Sequence, residues 1–358
     1  MKTILVVFGG TNTEHEVSLK SSAAIISMLG SEKYNVVRVG ITKAGRWMKT
    51  NATPDEIRSG AWETHPENVH AVLSPDREDH GLILKKDGGA EILKVDCVWP
   101  VLHGKYGEDG TIQGLFELAG LPYVGPGVCS SAVSMDKSQT KIVVEKTKVK
   151  QADYYLVRKL AYQENADAEV DAILTHFNAR FPMFVKPCSA GSSIGVTKVS
   201  KADELKDAIK TALIHDSKVL VEEAIVGREV EVAVMGNDDP RASVVGEVLS
   251  ANDFYDYSAK YINSASRTQI PAEISAEDQE RLQKDAVTIY SALECKGLTR
   301  VDFFLTADGT PVFNEVNTLP GFTNISMYPK LWEATGVSNA ELVDTLIALA
   351  FEREYPTL

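Results

Sequence analysis

Hydrophobic and polar positions fall into distinct rhythms along this chain, and each rhythm predicts an element. Thr3 to Phe8 is a continuous apolar run that reads as a buried strand, Ser18 to Leu29 has helical spacing, and Asn35 to Ile41 supplies another strand. The opening is a β-α-β unit. Such units favour a parallel sheet with ligand loops at the carboxyl ends of its strands. Residues 43–95 are less periodic, with Asp87-Gly88-Gly89 marking a turn, and are expected to form small hairpins or an insertion. Val95 to Leu102 resumes a strand, His103 to Gly110 is a glycine-spaced loop, and Thr111 to Ala119 is a helix. The Pro/Gly cluster from Pro122 to Gly127 then sets a first domain boundary near residue 130. Ser18 and Ser134 are placed to cap helices.

The next unit carries strands Tyr154 to Arg158, Met183 to Pro187 and Val196 to Val199, with helices near 166–180 and 201–214. Val219 to Glu223 and Glu229 to Met235 read as strands leading into a third unit, with the boundary near residue 221. Residues 253–266, polar and aromatic-rich, lie between strand Ala242 to Leu249 and helix Ala276 to Leu293. Long loops of that kind serve as lids.

Chemistry concentrates in a hairpin. Arg300 to Leu305 and Pro311 to Val316 flank Asp308-Gly309, which suits a two-residue turn with Ala307 opposite Thr310. Counting back places Asp302 opposite Glu315 and Arg300 opposite Asn317. Opposed carboxylates destabilise a ladder unless something positive lies between them, so this spacing points to a hard cation. The alternative is a solvated sheet face. Against it stands the apolar run Val301, Phe303, Phe304, Leu305, which suits a strand buried on both faces.

Two further stretches fit nucleotide chemistry. Phe184 to Gly195 places Lys186 on a strand ahead of small residues and hydroxyls whose backbone N–H groups can approach phosphate oxygens. Taken alone it is equally compatible with a plain turn, and it lacks Walker A spacing. Glu222, Glu223 and Glu229 flank the second connection, where carboxylates can accept from an amine or ribose hydroxyls; a solvated acidic face is the alternative. At 358 residues, 44% apolar and a formal charge of −13, the chain has material for several cores and a field that disfavours nucleic acid. The four scattered cysteines form no C-x-x-C pair, no signal peptide is evident, and no apolar stretch reaches a bilayer span, so a cytoplasmic protein without membrane partners is expected. Gly9-Gly10 is not a dinucleotide fingerprint, which disfavours a dehydrogenase.

Lys186 with the Gly191 to Gly195 loop, Arg300-Val-Asp302, and Asn314 to Gly321 together resemble the ATP-grasp carboxylate–amine ligases. Within them the chain is similar to the D-alanine–D-alanine ligase family. Blocks at Gly9 to Ser18, His103 to Gly110, Ser134 to Lys137 and Tyr255 to Tyr261 extend the likeness over nearly the whole length. The resemblance implies an α/β fold, α+β in its ATP-grasp lobes, with three domains: a Rossmann-like parallel-sheet substrate domain at 1–129, a small ATP-grasp lobe at 130–221 and a C-terminal lobe at 222–358. It implies ATP and D-alanine as small-molecule substrates, two Mg²⁺ or Mn²⁺ ions, an acyl-phosphate route to a dipeptide, and a homodimer. By the same resemblance, Lys141 and Lys186 hold phosphates, Glu222 and the Ala224 backbone meet adenine, and Glu229 meets ribose. Asp302, Glu315 and Asn317 hold the metals. Glu16 neutralises the first ammonium; Ser326, Lys260 and the Gly321 N–H receive the second carboxylate. Glu16, Ser192 and Tyr261 form a triad that ties the lid; Arg300, on the hairpin beside the metal residues, is placed to stabilise an oxyanion. Met327 stands where leucine is expected, Glu223 where lysine is common, and His103 is a secondary substrate candidate that equally suits a structural hydrogen bond.

Overall fold

Three sheets organise the described residues, 1–30, 32–191, 193–249 and 267–353, of this computed structural model. The first has the order β6-β5-β4-β3-β2-β1-β7. Its centre is β1 (Lys2–Gly9), parallel to both β2 (Tyr34–Ile41) and β7 (Cys97–Val101). The weakly periodic stretch after residue 43 supplies β3 (Trp47–Thr50), β4 (Val69–Leu73), β5 (Gly81–Lys86) and β6 (Gly89–Lys94), each antiparallel to its neighbour. The sheet is therefore mixed, with a parallel centre and an antiparallel extension. The exposed edge strand β6 has little to bury, which is why its sequence carries so weak a signal.

The second sheet, β10-β9-β11-β8, is antiparallel and is built from β8 (Tyr154–Arg158), β9 (Met183–Pro187), β10 (Thr197–Val199) and β11 (Lys218–Glu223). The third runs β14-β13-β12-β15-β16, from β12 (Arg228–Gly236), β13 (Arg241–Leu249), β14 (Arg267–Gln269), β15 (Gly297–Leu305) and β16 (Pro311–Asn317). One hydrophobic core joins β1 residues Ile4, Val6 and Phe8 to Leu342, Leu346 and Ile347 of the helix Asn339–Glu352. The chain's end thus buries the inner face of its beginning. Arg353 reinforces the junction, donating to the Gly125 carbonyl at 2.8 Å.

Neither predicted serine cap is a cap. The first helix spans His15–Met28, so Ser18 lies inside it, accepts from the Gly9 N–H at 2.7 Å and donates to the Val101 carbonyl. Asp136, not Ser134, caps Lys137–Glu145, accepting from the Ser138 and Gln139 N–H groups. The expected lid at 253–266 lies outside the described residues.

Candidate active site

β15 and β16 pair Arg300 with Asn317 and Asp302 with Glu315, the register that the spacing predicts. The route to it differs. Thr306 and Thr310 close the hairpin, the Thr306 N–H donating to the Thr310 carbonyl at 3.1 Å, with three residues between them and Gly309 at φ 75°. That longer loop shifts the pairing, and a bulge between Asp302 and Phe303 shifts it back. On the other side, β12 places Glu231 opposite Asp302. Glu231, Asp302 and Glu315 thereby occupy opposed positions on three adjacent strands.

Protein cations answer this row. The Arg300 guanidinium donates through Nε and Nη2 to the two oxygens of Asp302, each at 2.7 Å, and its Nε lies 2.9 Å from Glu231 Oε2. Burial opposes its charge, yet Asp302 and Glu231 hold the Arg300 pKa well above its ordinary value. Asn317 Nδ2 donates to Asp302 at 3.0 Å, and Lys137 Nζ is 3.5 Å from Glu315. Among the described residues there is no group of three or more His, Cys, Asp and Glu poised as a metal site. Two carboxylates and an amide are nonetheless an oxygen-only donor set, and Mg²⁺ is usually held by one or two carboxylates with substrate phosphates completing its shell. By donor chemistry the residues fit the ion.

Beside the row opens a cavity of about 600 Å³ lined by Lys186, Glu222, Ala224 and Glu229, with Phe184 and Glu223. Glu222, buried on β11, pairs with Lys141 at 2.7 Å and Lys186 at 2.5 Å. Burial raises its pKa, but the two ammonium groups outweigh that and bring it down to about 2. The two lysines expected on phosphates are thus the counterions of the carboxylate expected on adenine. Lys137 is a cation that the sequence reading left without a role. It lines this cavity and a second one, and its Nζ also donates to the Ala190 carbonyl at 3.1 Å.

The second cavity, about 210 Å³, is lined by Arg300, Glu315, Asn317, Gly321, Ser326, Met327 and His103. Glu16 is not among its lining residues: it is exposed and pairs with Lys43 at 2.7 Å, which lowers its pKa. Glu14, two residues earlier, is buried and lines the cavity instead. Gly104, at φ 67°, makes room for it, since a Cβ there would fall 2.0 Å from Glu14 Oε2. A Cβ at Gly321 would fall 2.9 Å from Ser326 Oγ, so glycine keeps that corner open. Met327 is buried in the core beneath. His103 bonds through Nδ1 to the Leu319 carbonyl at 2.9 Å and through Nε2 to Ser21 Oγ at 3.0 Å, so both ring nitrogens are engaged by the protein. Ser192, Lys260 and Tyr261 lie outside the described residues.

Glu108, in the glycine-spaced loop, accepts from the Gly104 N–H at 2.7 Å and the Leu319 N–H at 2.9 Å. Burial and the nearby Glu14 charge raise its pKa to about 7, against the pull of those two N–H groups. The folded state therefore holds a proton that the unfolded state releases at its ordinary pKa of 4.5. Its contribution to stability is full below that ordinary value and is lost as pH rises through about 7. Replacing Glu108 with glutamine removes this dependence. From pH 5 to 8 the variant should gain on the parent by at most about 1.4 kcal/mol per pH unit in denaturant unfolding. Parallel pH profiles of the two proteins would refute the assignment.

Two antiparallel sheets bordering a nucleotide-sized cavity, with lysines, acids and an oxygen donor set at its mouth, define a ligase of the ATP-grasp class. The family described as "D-ala D-ala ligase N-terminus" matches residues 3–126, and "D-ala D-ala ligase C-terminus" matches 143–348. D-alanine–D-alanine ligase B of Clostridium tetani is 47% identical over 355 residues, covering 98% of this chain and 94% of that protein. The D-alanine–D-alanine ligase of Acetivibrio thermocellus is 47% identical over 365 residues, covering 98% and 96%. The crystal structure of VanG D-Ala:D-Ser ligase from Enterococcus faecalis superposes with a TM-score of 0.88 at 41% identity, covering 98% of this chain and 99% of that one. The chain belongs to the D-alanine–D-alanine ligase family.

Proposed function

We propose that the cleft joins two D-alanine molecules to D-alanyl-D-alanine, with ATP converted to ADP and phosphate, for peptidoglycan precursor synthesis. The observation that carries this reading is the partly buried Arg300 between paired carboxylates, at the wall of a small chamber next to a cavity of nucleotide size. A carboxylate is anionic and resists an amine, so it must first gain a leaving group. The first D-alanine carboxylate attacks the γ-phosphorus, ADP departs, and an acyl phosphate forms. The amine of the second D-alanine attacks that carbonyl, Arg300 offsets the charge on the tetrahedral oxygen, and phosphate leaves.

Glu14, rather than Glu16, takes the first ammonium, a role its burial in the chamber supports. Ser326 Oγ and the Gly321 N–H receive the second carboxylate. Ser326 Oγ already accepts from the Thr323 N–H at 2.9 Å, which fixes its position. Lys186, Lys137 and Lys141 face the phosphates, Glu222 and Ala224 the base, and Glu229 the ribose. Asp302, Glu315 and Asn317 would hold two Mg²⁺ or Mn²⁺ ions, whose charge offsets that of the crowded phosphates. Ser192, Lys260 and Tyr261 remain assigned to closure and carboxylate binding by resemblance. Among the described residues no helix is long and apolar enough to cross a membrane. The enzyme is proposed to act in the cytoplasm as a homodimer, which light scattering of the purified chain tests.

The deciding assay is phosphate release from ATP and Mg²⁺ with D-alanine, D-serine, D-lactate and L-alanine, each product identified by mass. D-alanine alone should give full release and its dipeptide. Mixed D-alanyl-D-serine as the preferred product would move the chain to the specificity named for the Enterococcus faecalis structure.

A further inference from the structure

Arg300 is held by two acids with different fates. Asp302 belongs to the oxygen donor set, so an ion that takes up its carboxylate removes the bidentate partner of the guanidinium. Glu231 stands on β12, opposite Asp302 and away from β16; it is 6% exposed and lines the same chamber. Its Oε2 already lies 2.9 Å from Arg300 Nε. A guanidinium stripped of its counter-charge inside a protein is strongly destabilised, so the second acid decides whether Asp302 can be released at all.

We propose that Glu231 is a positioning residue that keeps Arg300 in the chamber when Asp302 turns to a divalent cation, and so sets both metal affinity and the placement of the arginine. This rests on the reading of Asp302 as a metal carboxylate. With glutamine at 231, Arg300 keeps Asp302 as its charged partner and competes with the ion. With aspartate, the charge remains but is one methylene further back.

The probe is Mn²⁺ binding to the ADP complex, followed by electron paramagnetic resonance. Glu231→Gln should bind Mn²⁺ about tenfold more weakly, with Glu231→Asp in between. At saturating Mn²⁺, kcat should fall about tenfold while KM for D-alanine stays within about twofold, because the arginine acts on the transition state rather than on ground-state binding. Loss of a nearby negative charge would by itself loosen a cation, so the cycle with Arg300→Gln decides the route. If Glu231 works through Arg300, its substitution no longer changes Mn²⁺ affinity in the Arg300→Gln background. If the same fold-change persists there, Glu231 is only part of the general field and the proposal is overturned. Asp302→Asn separates the layers. Should that variant bind Mn²⁺ normally, the metal assignment falls and this inference falls with it; should it loosen Mn²⁺ while Glu231→Gln and Glu231→Asp do not, the Glu231 role alone is wrong.

Discussion

Replacing Glu222 with alanine should destabilise the fold by about 3–5 kcal/mol, because it strands two ammonium groups that share one buried carboxylate. Lys141 is only 2% exposed, and its other contacts among the described residues are the Ala152 carbonyl at 3.1 Å and the face of Tyr154. Neither supplies a negative charge. The pH dependence has a definite sign: the Glu222 pKa is about 2 in the fold against an ordinary 4.5, so its contribution is complete above the ordinary value and fades as pH falls toward the folded one. Denaturant unfolding of parent and variant should therefore differ most near neutrality and converge in acid. A companion variant, Lys141→Met with Glu222→Gln, removes one charge of each sign and should recover much of the loss, since neutral side chains of similar size often replace a buried pair without great penalty. Full stability of Glu222→Ala at pH 7 would show that the lysines are solvated and that the ion triad does not hold this lobe together.

How far the sequence discloses such features depends on the distance over which they are specified. The Asp302 and Glu315 pairing was legible because a hairpin is local and side chains repeat every second residue, although a three-residue loop and a bulge reached that register by another route. The antiparallel extension was blurred most at its outer strand, because β6 is exposed on both faces and has no buried side to set an alternation. Glu231 gave no signal at all. Its partner is 69 positions away in the chain, and only the β12 to β15 ladder reveals that they meet. Glu222 was read for a role toward adenine, but its tie to Lys141 depends on how β11 meets the helix Lys137–Glu145, and its tie to Lys186 on the pairing of β11 with β9. No spacing rule encodes that contact.

Glu14 and Glu16 are where the role implied by resemblance and the lining of the cavity point to different residues, and their substitution should separate sharply. Glu14 precedes the helix that starts at His15, while Glu16 lies in its first turn, where a residue advances about 100°, so two acids only two positions apart are free to face different sides. The glycine at 104 and the burial of Glu14 decide which faces inward. Glu14→Gln keeps the shape but removes the charge proposed to meet an ammonium in a confined chamber, so kcat/KM for D-alanine should drop by about 10² or more. Glu16→Gln breaks an exposed pair with Lys43 and should leave kcat/KM within about twofold. Steady-state kinetics with D-alanine varied, at fixed ATP and Mg²⁺, measures both. The reverse pattern, a crippled Glu16→Gln beside an active Glu14→Gln, would require the start of the first helix to turn through half a revolution on binding substrate. The Ser18 hydrogen bonds to Gly9 and Val101 oppose such a rotation, because both would have to break.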